Sequence, residues 1–130
     1  MNISNTFMRL GVLTLIGGMA LGMWMGPNQN FTLRPVHAHV NLLGFVAMML
    51  FGLFYRAFPE AARSKLAIGH FTLYVLGFVV LVPALTVLVL GNPAVAPILP
   101  LAEIALVVSV LLFTVIVFRS TSAKAALADA

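Results

Sequence analysis

The chain has 130 residues, 62% of them hydrophobic, with seven Lys/Arg against three Asp/Glu, a formal net charge of +4 and no cysteine. Soluble domains carry roughly a quarter charged residues, whereas this chain carries 8%, too few to cover its surface in water. Aliphatic richness equally excludes disorder, and the missing thiols exclude disulfides, thiolate metal sites and covalent C-x-x-C-H haem attachment. What remains is an integral membrane protein of one domain, residues 1–130, whose first partner is the lipid bilayer.

A helix needs about 20 apolar residues to cross a bilayer. Four such runs follow one another, at about 7–25, 36–58, 66–90 and 98–118, so the expected fold is all-α, a four-helix transmembrane bundle. The first run ends at Gly26, Pro27 and Asn28. It reads as a span and not a cleaved leader, because bulky Met23, Trp24 and Met25 stand where a cleavage site needs small residues. Gly18, Gly22 and Gly26 form a four-residue stripe along it, suited to helix packing or to the close approach of a flat cofactor. Trp24 reads as an interfacial anchor. The second run opens with Thr32 as a cap and Pro35 in the first turn. The third stops at Gly91, Asn92 and Pro93, and the fourth is followed by a polar, alanine-rich tail from Arg119, either an interfacial helix end or disordered.

Lysines and arginines in short loops mark the cytoplasmic side. Arg9, Arg56, Arg63, Lys65, Arg119 and Lys124 share one side and only Arg34 the other, so both termini are expected in the cytoplasm. The basic balance is therefore topology, not a nucleic-acid footprint.

Three histidines are the only nitrogen ligands. His37 and His39 begin the second helix. At about 100° per residue they point some 200° apart while differing in depth by only about 3 Å. They cannot chelate one ion together, and if both are buried one must face another copy of the chain. The spacing favours a homo-oligomer with polar contacts or cofactors at its subunit boundaries. Against this stands the plain alternative of interfacial histidines bonded to water or lipid phosphate.

The segment Leu33, Arg34, Pro35, Val36, His37 resembles the start of the second helix in the cbb3-type branch of the haem-copper oxidase and nitric oxide reductase superfamily. His37-Ala38-His39 is similar to the H-x-H of that subunit's tenth helix, where the two histidines bind two different haems. The family's twelve helices form three arcs of four, making second, sixth and tenth helices equivalent. The resemblance implies that a homotrimer would rebuild the twelve-helix ring, with His39 of one copy opposite His37 of the next and a b-type haem, non-covalently held, at each boundary. A twofold dimer is the simpler competitor. Copper ligands on the third helix are lacking, since Pro83 to Leu88 offers none, so oxygen reduction is not expected and the reading leans away from an enzyme.

Arg34 would meet the haem propionates or a headgroup. Glu103, the one acid inside a span, would orient an imidazole, pair with Arg34 or stay protonated without a role. His70 is about 25 Å deeper than His37, too far to share its iron, and is expected in the membrane interface beside Lys65, with a separate inner-face site as the alternative. The expected protein is a multi-pass component of a bacterial inner membrane that transfers electrons to an unknown redox partner or senses redox state through metal ligands His37 and His39. The alternatives are a cofactor-free assembly or transport subunit, and a gas-reactive haem enzyme with one open iron position.

Overall fold

In the computed structural model, which describes residues 2–128 and side chains through Ser122, every span is a helix and no strand occurs among the described residues. We number the spans α1 (Ile3–Asn28), α2 (Arg34–Ala57), α3 (Lys65–Val89) and α4 (Ile98–Ala128). All four are long and apolar enough to cross a membrane. The side chain of Lys124, counted above for orientation, lies outside the described residues.

Local chemistry sets most boundaries. The Asn2 side chain accepts from the Asn5 amide at the start of α1, and Ser64 accepts from Ala67 at the start of α3, each satisfying an amide that the helix leaves unpaired. α1 runs through Pro27, which was expected to end it. Proline forfeits a backbone donor, and side chains add bonds to the carbonyls of that last turn: Asn28 Nδ2 donates to the Trp24 carbonyl at 2.7 Å and Gln29 Nε2 to the Gly26 carbonyl at 3.0 Å. Gln29 then closes the helix in a left-handed conformation (φ 52°). Thr32 does not cap α2. Leu33 occupies that position without a side-chain bond, while Pro35, lacking an N–H, leaves one amide fewer to satisfy. At the other end of the chain, α4 continues past Phe118 into the tail as helix.

α2 departs most from expectation. Immediately after His39 it widens into an eight-residue π-helix, Val40–Ala47, before resuming as α-helix from Met48 to Ala57. Within the π-helix the Leu43 carbonyl accepts a further bond from α3, the Tyr74 hydroxyl donating to it at 3.0 Å.

Each consecutive pair of spans is tied by a hydrogen bond. Ser4 Oγ donates to the Gly52 carbonyl (2.9 Å) between α1 and α2, and Ser109 Oγ to the His70 carbonyl (2.8 Å) between α4 and α3. Tyr55 and His70 meet at 2.9 Å between α2 and α3. Lipid gives helices no hydrophobic reason to associate, so close packing and such bonds do the joining. Glycine permits the approach: a Cβ at Gly52 would meet Met8 Cγ at 2.5 Å, and one at Gly77 would meet the Ala102 carbonyl at 3.1 Å. The buried core runs along α3 from Ala67 to Ala84 and takes in Leu99, Ala102 and Leu106 of α4. Its aromatic part, Phe7, Phe51, Tyr55, His70 and Tyr74 with the partly buried Phe113, lies toward the end bearing Arg56, Arg63 and Lys65, hereafter the basic end. Many apolar side chains outside it face outward, Met23 at 74% and Leu101 at 69% exposure, as lipid contact or a further subunit requires.

Candidate functional site

Residues of α2 and α4 line a groove over α3 that reaches from His39 and Glu103, away from the basic end, inward to Tyr74 and Leu111. The groove has a volume of about 520 Å³ and is lined by His39, Leu43, Tyr74, Leu81, Glu103 and Leu106 among others. Two polar side chains, His39 and Glu103, thus share a groove that is otherwise apolar apart from Tyr74, whose hydroxyl is bonded to the Leu43 carbonyl.

His39 is the fourth residue beyond Pro35, and its Nδ1 lies 2.8 Å from the Pro35 carbonyl. A carbonyl can only accept, so Nδ1 carries the proton and donates. In the neutral ring Nε2 is then the unprotonated nitrogen, free to accept a hydrogen bond or to ligate. Fixing one ring nitrogen through a backbone carbonyl is how ligating histidines are commonly oriented. Glu103 is exposed and has no hydrogen-bond or ionic partner among the described residues. The pairing with Arg34 does not form. The Arg34 guanidinium instead lies over the Phe31 ring, 5.1 Å from its centre, a cation–π contact that occupies the cation without neutralising it.

His37 points the other way, toward α1, as the helical spacing required. Its Cε1 lies 3.0 Å from where a Gly22 Cβ would stand, and Asn41, one turn on, sits against Gly18. Asn41 Nδ2 donates to the His37 carbonyl at 2.8 Å and lies 3.3 Å from the imidazole Nδ1. The glycine stripe of α1 thus has a particular use: Gly18 and Gly22 make room for Asn41 and His37, whereas Gly26 has nothing within 4 Å. The four expected site residues do not converge within one chain. His39 and Glu103 share the groove, His37 occupies the opposite side of α2, and Arg34 stands at the helix start. Among the described residues no three His, Asp or Glu side chains gather as a metal cluster.

His70 corrects the expectation of an interfacial residue. It is 0% exposed, stacked on Phe113 (5.0 Å between centres), edge-on to Phe51 (4.6 Å) and bonded to the Tyr55 hydroxyl, with Nε2 enclosed and unpartnered. The reason is its register. His70, Tyr74, Gly77, Leu81 and Ala84 follow one another at helical spacing down the buried face of α3. The stripe can be counted along the sequence, but the rings that enclose His70 come from the other helices.

No protein-family model matches the chain, and no curated protein or solved structure is similar to it.

Proposed function

We propose that the chain is a subunit of a homo-oligomeric membrane protein that binds b-type haem between neighbouring copies, where His39 of one copy and His37 of the next would hold the iron, and that it transfers electrons or senses redox state. The observation that carries this reading is the His39 Nδ1–H bond to the Pro35 carbonyl, which leaves Nε2 as a ligating nitrogen in an apolar groove. Such a haem supplies a one-electron couple, whose potential depends on axial ligands and burial. The chain's own residues do the rest. His39 presents Nε2, Glu103 offers an acceptor in the same groove, and Arg34 supplies a guanidinium near the helix start for an anionic substituent. Termini on the cytoplasmic side of a bacterial inner membrane complete the proposal, on the distribution of basic residues.

The facing of the two histidines also bears on assembly. His39 lies on the α3–α4 side of α2 and His37 on the α1 side, so a contact that pairs them joins two different surfaces. Such head-to-tail contacts close into rings, whereas a twofold dimer pairs like with like. We therefore favour a closed ring over a twofold dimer, and the resemblance to the twelve-helix family implies a ring of three.

A second reading draws on His37. Its ring already packs against Gly22 beside Asn41 within its own chain. If it stays there, only His39 binds iron and the sixth position is open to gas.

Purification after expression with haem in excess, followed by oxidised and reduced visible spectra, tests these readings together. The expected result is a sharp reduced α-band, unaffected by carbon monoxide and lost in both His37→Ala and His39→Ala. A broad high-spin spectrum that shifts with carbon monoxide and survives His37→Ala selects the second reading. Absence of a Soret band removes haem altogether and leaves a cofactor-free assembly or transport subunit.

A further inference from the structure

The basic end holds a cavity remote from the histidine pair. It has a volume of about 570 Å³ and lies where the first turn of α1, the last turn of α2 and the one-turn helix Pro59–Ala62 meet, with Asn2, Ser4, Tyr55, Arg56 and Arg63 in its wall. Among the described residues two of the lining side chains are cationic and none is acidic. Glu60, on the same short turn, accepts from Arg63 Nη1 at 2.9 Å. Arg56 is tethered across the helix boundary, with Nη1 donating to Asn5 Oδ1 at 3.1 Å. A guanidinium carries five N–H groups in a planar fork that matches phosphate oxygens, and the bonds to Asn5 and Glu60 engage Nη1 alone. Arg56 is also the penultimate residue of its span, Arg34–Ala57, the depth at which a span leaves the hydrocarbon for the headgroup region. A basic pocket between helices at that depth has the charge and position to hold an anionic headgroup.

We propose that this cavity is a binding site for a phosphate-bearing anion, with Arg56 and Arg63 supplying the hydrogen-bonding forks. The ligand chemistry is a phosphate oxyanion carrying net negative charge, delivered by an anionic phospholipid headgroup or by free phosphate. The site is independent of haem.

The test is native mass spectrometry of the detergent-purified full chain, titrated separately with phosphatidylglycerol, phosphatidylcholine and inorganic phosphate. Phosphatidylglycerol should be retained in preference to phosphatidylcholine, and Arg56→Gln and Arg63→Gln should each weaken retention about fivefold. Arg119→Gln, which removes the same charge from a residue outside the cavity, should leave it unchanged. Binding of phosphatidylglycerol without competition from inorganic phosphate identifies a headgroup site. Competition, with phosphate binding itself weakened by Arg63→Gln, identifies a free-phosphate site in the same cavity. Equal weakening in all three variants would reduce the effect to net charge and overturn the proposal, as would unchanged retention in Arg63→Gln. The Arg63 side chain is 76% exposed on the connecting turn, so its variant remains decisive even where Arg56→Gln does not fold.

Discussion

The Pro35 carbonyl, 2.8 Å from His39 Nδ1, and the Tyr55 hydroxyl, 2.9 Å from His70 Nδ1, give two imidazoles different employment. His39 is left with Nε2 in an open groove. His70 is left with Nε2 walled in by rings, so its one polar bond holds α2 to α3. Interhelical bonds in membranes contribute about 0.6 kcal/mol on average and up to about 1.7. Tyr55→Phe would leave both nitrogens of a buried imidazole unpaired, so we expect a loss toward the upper figure, measured as unfolding in mixed detergent micelles. A Tyr55→Phe protein as stable as the parent would mean that the bond contributes nothing. Residue types told part of this in advance. The opposed directions of His37 and His39 follow from helical arithmetic alone. The burial of His70 does not, because it depends on Phe7, Phe51 and Phe113 arriving from three other elements.

Helices were the most legible level, since their length and apolar character are written residue by residue, and the four expected spans agree with α1 to α4 apart from a few residues at the ends and the extension of α4. The π-helix of α2 was not legible. Val40–Ala47 contains no proline, and its composition is that of any span. Its wider turn rotates the following half of α2 away from where a 3.6-residue count from the histidines would place it. For that reason the meeting of Tyr55 with His70 could not be obtained by counting along the chain. The stripe on α1 offers a sharp test at this scale. A methyl group on Gly22 would stand 3.0 Å from His37 Cε1, whereas Gly26 has open space around it. Gly22→Ala should displace the His37 ring and alter or abolish the haem spectrum, while Gly26→Ala should leave spectrum and yield unchanged. Equal behaviour of the two variants would show that the His37–Gly22 contact has no part in the site.

At the scale of the whole molecule, scarcity of polar groups shapes the account. A chain with three acids and three histidines places one acid and one histidine in a sideways-opening groove, and a second histidine on the opposite side of the same helix. In the proposed shared site each surface supplies one histidine, and the outward-facing apolar residues, Leu101 and Met23 among them, leave area for a neighbour. A ring of three copies should therefore run in native mass spectrometry at three times the 13.9 kDa chain plus bound haem, with the haem mass lost and the three-chain stoichiometry kept in His39→Ala. The sequence could specify which residues face apart, but not which surface of a second copy meets them, because that information is distributed over the shape of the assembled helices.

The central claim is that one iron takes its two histidines from two chains, and complementation addresses it directly. His37→Ala and His39→Ala chains, each carrying a different affinity tag, are co-expressed, purified sequentially through both tags and measured for haem. Each variant alone should bind none. A mixed ring contains one boundary where an intact His39 faces an intact His37, so haem should return at about one third of the parental content per ring. Mixed oligomers that remain without haem, or a single variant that retains it, would contradict the shared site.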